Sequence, residues 1–401
     1  MTSIGPSDPT DPAEPADPGV LCGLFATWAS GAVRRLPLYR RLCEGAAGDP
    51  EVAGRLLLSP RPPQRIPNLL LAAVHDVVLA GDHDPEVEAL SGWYGSATPH
   101  PRPVGRGGDD PWPHFRSAAL EHPAVADNLR SHSTQTNEVG RCAPLLPALT
   151  DTVSEFGAES LGLVEVGASA GLNLLMDSYG YCYTRGRVEP GTGDALDLDE
   201  SDRGARWVSP DRSLILTCAL RGPVDPPVPE SVLVISHRVG LDLHPVDPGE
   251  RDQARWLVAC QWPDQPERVH RARTAIALSH GRRPRIVTGD AVDDVAALVT
   301  DVPREAHPVV IATWVLTYLG PDRQRKFLEA LDEIGTRRDL SLVYAEQPEL
   351  VPGLDPPARA DGVPDGRATA LVRLDWRGGT RRARRLGDQH PHGTWLEWTG
   401  R

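Results

Sequence analysis

The sequence predicts an α/β protein with a mostly parallel sheet that ends in an antiparallel hairpin and follows a helical N-terminal region. Strand-like apolar runs alternate with helix-like segments between residues 161 and 346, a rhythm typical of a parallel sheet wound by crossover helices. Residues 368–398 contain strand-like runs with no helix between them. Before residue 150 the apolar spacing is helical, and no strand is predicted there.

This pattern divides the chain into three parts. Residues 1–19, MTSIGPSDPTDPAEPADPG, are acidic and proline-rich, unlike a secretory signal peptide, and predict a disordered tail. Residues 20–150 predict a helical cap region, in which segments such as NLLLAAVHDVVLAG are separated by proline and glycine. Residues 151–401 predict the α/β domain, with an inserted hairpin at about 181–222 around an acidic loop.

The α/β domain opens with LGLVEVGASAGLNLLMDSYGY, residues 161–181. The run from Leu161 to Val166 has strand length and β-branched residues, and helical spacing resumes after Gly171. Glycine lets a ligand approach the backbone closely, and the first amides of a helix are free to bind polar groups. This stretch therefore predicts the first half of a nucleotide-binding βα unit.

The later strands and helices follow in order. Further strands are predicted in SVLVISHRVGLDL, PRIVTGD, HPVVIATWVLTYL and DLSLVYAEQ. The helices between them are predicted at about residues 249–280, in DAVDDVAALV and in PDRQRKFLEALDEIG. The closing hairpin is predicted from ATALVRLDWRGG and RRARRLGDQHPHGTWLEW.

Composition narrows the possible partners and compartments. A formal net charge of -13 and the absence of an apolar run of about 20 residues disfavour nucleic-acid and membrane partners. Small-molecule or protein substrates are favoured. The six cysteines form no C-x-x-C pair, which predicts reduced thiols and a cytoplasmic protein. Histidines such as His390 and His392 are interpreted as loop or surface groups, so no metal is predicted.

The order of elements and the motif V-E-V-G-A-S-A-G resemble the class I S-adenosylmethionine-dependent methyltransferases, whose Rossmann-like sheet also ends in an antiparallel hairpin. In that superfamily an acid and a glycine-rich turn end the first strand. The resemblance implies S-adenosylmethionine as cofactor, and the matching positions here are Glu165, Gly167, Ala168 and Gly171. Ser169 replaces the middle glycine.

The same resemblance implies further cofactor contacts at the ends of the next strands. Asp242 is expected to bind the ribose, unless YCYTRGRVE is the second strand, in which case Glu189 takes that role. Asp290 and Ala291 are expected beside the adenine, although Asp290 also fits a helix N-cap. Thr313 is expected beside the methyl-transfer site.

More narrowly, the phrases TQTNEVGRC, GLDLHP, WPDQPER and HPHGTWLEW resemble the bacterial family called domain of unknown function 2332. This likeness covers nearly the whole chain after the tail. It implies a fold, and we know of no reaction assigned to the family.

The favoured function is methyl transfer to a small molecule or a protein side chain. Asn137 and Glu138 are candidates for positioning the acceptor, although polar clusters of this kind also cap helices. The alternatives are a nicotinamide-dependent oxidoreductase and a non-catalytic nucleotide-binding protein. The dinucleotide-binding motif of such oxidoreductases is G-x-G-x-x-G, followed by an acid about 20 residues later. Glu189 lies near that distance from the glycines after the first strand, but the spacing of those glycines differs from the motif.

Overall fold

The computed structural model describes residues 17–105, 109–185, 206–208, 213–359 and 368–400. The chain divides into two compact units, a helical unit that includes residues 7–136 and 248–273 and a sheet unit that includes residues 137–247 and 274–401. Most of the predicted tail lies outside the described residues, and the first helix begins at Pro18. Within the described residues, no helix has the length and apolar character needed to cross a membrane.

The helices are α1 (Pro18–Ser30), α2 (Pro37–Ala47), α3 (Pro50–Gly54), α4 (Pro67–Ala80), α5 (Pro85–Ser91), α6 (Trp112–Glu121), α7 (Pro123–Ser131), α8 (Cys142–Phe156), α9 (Arg251–Ala259), α10 (Pro266–Ser279), α11 (Val295–Thr300) and α12 (Gly320–Gly335). The strands are β1 (Leu161–Val166), β2 (Gly180–Thr184), β3 (Arg206–Val208), β4 (Ile215–Arg221), β5 (Ile235–Asp242), β6 (Arg285–Thr288), β7 (His307–Thr313), β8 (Leu340–Glu346), β9 (Thr369–Arg377), β10 (Thr380–Gln389) and β11 (Trp395–Trp398).

The helical unit is built around α4, which is buried over most of its length. Proline in the first turn begins each of α1 to α7, where the missing N–H costs no intrahelical bond. Two contacts hold α9 against α4: the Arg255 guanidinium lies 2.8 Å from the Asp76 carboxylate, and the His75 ring lies 2.9 Å from the Ala259 carbonyl. A segment from the middle of the chain therefore completes the core of this unit.

The sheet unit contains one sheet of described strands in the order β3-β2-β4-β11-β10-β9-β8-β7-β1-β5-β6. The strands β6, β5, β1, β7 and β8 are mutually parallel, and β9 and β10 follow as an antiparallel hairpin. The expected mixed α/β architecture with a mostly parallel sheet is confirmed. Within these five parallel strands β1 is the middle one, with β5 and β6 on one side of it and β7 and β8 on the other.

The region between β1 and β5 differs from the expected hairpin insertion. The strands β2 and β4 pair in parallel, β2 and β3 pair antiparallel, and all three extend the far edge of the same sheet. The closing segment also differs, because RRARRLGDQHPHGTWLEW forms two strands, β10 and β11, and β11 pairs in parallel with β4. Glu189 lies outside the described residues.

Candidate ligand-binding site

The turn after β1 has an unusual backbone. Gly167, Ser169 and Gly171 all have positive φ, at 70°, 53° and 70°. A Cβ added to Gly167 would lie 2.4 Å from Val315 Cγ2, and one added to Gly171 would lie 2.5 Å from Ile286 Cδ1. Both glycines are therefore required by the backbone conformation and by protein packing, which is a structural reason for the motif that does not depend on a ligand.

The expected helix after this turn is a short 3₁₀ segment, Leu172–Ser178, interrupted by non-helical geometry at Leu175. Its first amide is already used, because the Leu172 N–H donates to Asn137 Oδ1 at 3.1 Å. Seven residues of 3₁₀ helix lack the aligned peptide dipoles of a longer α-helix. The α-helix expected after the turn is not formed, and the Leu172 N–H is not free to bind a ligand.

Glu165, near the end of β1, is buried with 2% of its surface exposed. Its Oε1 accepts a hydrogen bond of 2.8 Å from Asn173 Nδ2, whereas its Oε2 has no partner among the described residues. Burial raises the pKa of this carboxyl to about 8. The side chain therefore presents a buried oxygen that a ligand or water must satisfy.

Asp242 ends β5, the strand beside β1. Its Oδ2 accepts the Ser169 N–H at 2.8 Å and its Oδ1 accepts the His244 N–H at 2.8 Å. The strand that precedes Glu189, β2, pairs with β3 and β4. The expectation that SVLVISHRVGLDL forms the neighbour of the first strand is thus confirmed for residues 235–242, and Asp242 lies where that expectation put it.

Asp290 and Ala291 follow β6, one strand further from β1. Asp290 Oδ1 accepts the Val292 N–H at 2.8 Å and lies 2.5 Å from Arg323 Nη2. Asp290 therefore caps a turn, and α11 begins later, with Asp294 at its N-cap position. Its carboxylate is held by this turn and by α12, which leaves it less free than Asp242 to bind a new partner.

The end of β7 contains the second unusual backbone position. Trp314 has a φ of 55°, a rare and strained value for a large side chain. Its indole Nε1 is buried without a partner in the described part of the chain. Thr313, just before it, accepts hydrogen bonds from Arg141 Nη1 at its carbonyl, 3.1 Å, and its hydroxyl, 3.5 Å.

Glu346, at the end of β8, is a site residue that the sequence analysis missed. It is fully buried, and its Oε1 accepts the Val315 and Leu316 N–H groups at 2.7 and 2.9 Å. Its Oε2 has no partner within the described residues, and burial raises its pKa to about 7. An acid at the end of the apolar run DLSLVYAEQ was the available signal, as an acid near the end of the run LGLVEV was for Glu165.

The segment before α8 joins this edge of the sheet. Asn137 is bound to the turn after β1 through Leu172, and the Arg141 side chain reaches both Thr313 and the Pro391 carbonyl, which it meets at 3.0 Å. Glu138 is buried, and its Oε1 accepts the Gly140 N–H at 3.0 Å. The polar cluster therefore caps and holds this edge of the sheet, which agrees with its alternative interpretation as a group of helix-capping residues.

The structure thus gathers most of the predicted positions at the carboxyl ends of β1, β5 and β7, together with Glu346 from β8. Asp290 and Ala291 lie at the outermost strand. Four buried polar atoms in the described part of this region have no hydrogen-bond partner: Glu165 Oε2, Ser169 Oγ, Trp314 Nε1 and Glu346 Oε2. Buried polar atoms in folded proteins are normally satisfied, so this group indicates a place for water or a polar ligand.

A family model described as an uncharacterized protein conserved in bacteria, DUF2332, matches residues 24–398. The chain belongs to this family. The match spans both units and every residue of the candidate site, so the site is part of the family's domain. No curated protein and no solved structure matches the chain.

Proposed function

We propose that this DUF2332 protein is an S-adenosylmethionine-dependent methyltransferase with its cofactor at the carboxyl ends of β1, β5, β6 and β7. The observation that carries the proposal is the group of four unsatisfied buried atoms beside β1, β7 and β8. They lie where the strand order reverses, between β1 and β7. In open α/β sheets, ligands bind outside the carboxyl ends of the strands at this reversal.

The chemistry of the unsatisfied atoms fits this cofactor. S-adenosylmethionine, when bound, supplies a methyl group on a positively charged sulfur. Its ribose hydroxyls both donate and accept hydrogen bonds. They therefore fit the free Oε2 of Glu165, which carries the proton of a carboxyl with a pKa of about 8, and the free Oε2 of Glu346, which accepts when ionised. Each oxygen of Asp242 accepts one backbone N–H hydrogen bond and so retains a lone pair for the ribose. Asp290 and Ala291 are proposed to lie beside the adenine.

The acceptor is proposed to be a small molecule or a protein side chain, bound near Thr313. Glu346 is the group best suited to take a proton from it, because Oε1 is held by two backbone N–H groups while Oε2 is free. A carboxyl with a pKa near 7 is matched to general-base work at neutral pH. Asn137 and Glu138 are proposed as positioning residues that act through the turns they hold.

The main alternative, a nicotinamide-dependent oxidoreductase, is supported less well. A dinucleotide fold places the pyrophosphate at the N-terminus of the helix after the first strand. Here that position is a 3₁₀ segment whose Leu172 N–H already donates to Asn137. S-adenosylmethionine has no phosphate and does not need such a terminus, so the same observation is compatible with it.

Calorimetric titration of the purified full chain with S-adenosylhomocysteine, S-adenosylmethionine, NAD and NADP tests the proposal. We expect the two sulfur ligands to bind and the two dinucleotides to give no heat of binding. Binding of NAD or NADP alone, or of none of the four, would overturn it. Methyl transfer is then separated from non-catalytic binding by incubating the chain with methyl-labelled S-adenosylmethionine and a panel of small-molecule and peptide acceptors.

A further inference from the structure

A second cleft lies away from the candidate site, on the hairpin formed by β9 and β10. It has a volume of about 700 Å³ and is lined by arginines from both strands and by Glu155 and Phe156 at the end of α8. The candidate site includes Glu346, the last residue of β8. The cleft lies near the other end of that strand, where the hairpin residue Asp375 pairs with Ser341. Five residue steps of about 3.3 Å separate the two places by roughly 17 Å.

Strand pairing brings the charged groups of the cleft together. Arg373 lies opposite Arg384, Asp375 opposite Arg382, and Arg377 opposite Thr380. Alternate residues of a strand point to the same face of a sheet, so these three cross-strand pairs share one face. The lining then contains four arginines and two carboxylates, Glu155 and Asp375.

Arg373 is fully buried and only partly satisfied. Its Nη1 donates to Asp151 at 2.7 Å and its Nε donates to Asp375 at 2.8 Å. Its Nη2 has no hydrogen-bond partner in the described part of the chain, and Glu155 Oε2 is 4.0 Å from it. A buried guanidinium N–H without an acceptor is costly, so this atom indicates a missing acceptor in the cleft.

Two neighbouring arginines carry further donors. The Nη2 of Arg384 donates to Asp151, while its buried Nε has no partner in the described part of the structure. Arg382 is exposed, and its guanidinium group forms no hydrogen bond or ion pair with any residue that the structure describes. If these arginines served only to hold α8 against the hairpin, their hydrogen bonds to Asp151 would be explained. The remaining N–H groups of Arg373, Arg382 and Arg384 would still lack acceptors.

We propose that this cleft binds the phosphoryl group of a small phosphorylated molecule. Guanidinium groups recognise phosphate oxygens through directed, charge-assisted hydrogen bonds. Arg373, Arg382 and Arg384 each carry donors that no described residue accepts, and a phosphoryl group offers three oxygens to receive them. Thr380 also lines the cleft. The lining carries more arginines than carboxylates, which favours an anion of this charge. The inference is independent of the proposed methyl transfer.

The test is calorimetric titration of the full chain with inorganic phosphate and, separately, glycerol 3-phosphate, with sodium chloride and acetate at equal ionic strength as reference anions. Arg382→Gln removes a cleft guanidinium that has no hydrogen-bond or ion-pair partner among the described residues. Arg381→Gln is the matched control on the same strand, because Arg381 contacts Asp332 at 2.8 Å and does not line the cleft. Thermal unfolding in chloride checks that both variants fold.

We expect binding of at least one phosphate probe. Arg382→Gln should weaken it at least about tenfold, which corresponds to the loss of one charge-assisted hydrogen bond, and Arg381→Gln should leave it within about twofold. Tighter binding of glycerol 3-phosphate indicates a phosphate ester, and equal binding indicates free phosphate. Phosphate heats no larger than those of acetate or chloride would overturn the proposal. Equal weakening in the two variants would overturn it as well.

Discussion

The Asp242 carboxylate accepts the backbone N–H of Ser169 at 2.8 Å, which ties the end of β5 to the left-handed turn after β1. This bond links two strands that are separated by 68 residues of sequence, among them the strands β2, β3 and β4. It makes Asp242 both a support of the turn and the carboxylate proposed to bind the ribose. Variants at this position must therefore separate the two roles.

Asp242→Asn is expected to weaken S-adenosylhomocysteine binding at least roughly tenfold, because it removes the charge from hydrogen bonds that are each worth about 1.5 to 3 kcal/mol. Asparagine keeps one acceptor oxygen, so the turn retains part of its support. Calorimetric titration measures the affinity. Asp247→Asn, at an acid that is about half exposed beside Arg283, is the control. Equal affinity in both variants and the wild type would place the ribose elsewhere.

Gly171→Ala is expected to destabilise the protein more than Gly157→Ala. Both glycines have φ above 60°, which costs a residue with a side chain about 1 to 2 kcal/mol. Only at Gly171 does the added Cβ meet other groups, with Ile286 Cδ1 at 2.5 Å and Pro284 Cγ at 2.8 Å. Overpacking adds about 1 to 3 kcal/mol. Urea unfolding measures the difference, and equal losses would contradict the packing explanation.

Glu346→Gln is expected to change how stability depends on pH. Burial raises the carboxyl pKa from 4.5 to about 7, so between these values the folded state holds a proton that the unfolded chain has released. The wild-type free energy of unfolding therefore falls as pH rises through this window. Glutamine does not titrate, and its oxygen can still accept the Val315 and Leu316 N–H groups.

The free energy of unfolding of Glu346→Gln relative to wild type should thus rise by on the order of 2 to 3 kcal/mol between pH 4.5 and pH 7.5. Urea unfolding at both pH values measures it. Glu329→Gln, at an exposed position on α12, controls for the loss of one carboxyl. A difference from wild type that stays constant with pH would show that Glu346 is ionised in the folded protein.

Arg141→Lys is expected to lower the free energy of unfolding by about 1 to 2 kcal/mol, because one ammonium replaces a guanidinium that donates from Nη1 to Thr313 and from Nε to Pro391. Thermal and urea unfolding measure the loss. Arg325→Lys, at an exposed helix position, is the control and should change stability little. A loss no larger than that of the control would show that the bridge between β7 and the closing segment is dispensable.

Several features of the fold were predictable because they depend on neighbouring residues. The apolar run from Leu161 to Val166 is a strand, and the alternation of apolar runs and helical spacing after residue 235 became alternating strands and helices. The acid at the end of each apolar run identified Glu165 and Asp242 as groups at the carboxyl ends of neighbouring strands. The same reasoning, applied to DLSLVYAEQ, would have identified Glu346.

The sequence by itself determined the α/β class, the positions of most strands and the acids that end β1 and β5, because periodicity and strand length are local properties. Only the tertiary structure decided that β2, β3 and β4 join the far edge of the sheet and that Val315 and Ile286 fill the space beside the two glycines. Only it showed which oxygens of Glu165 and Glu346 lack partners. These outcomes depend on strand pairing, burial and hydrogen bonds between residues far apart in the chain, which no local pattern encodes.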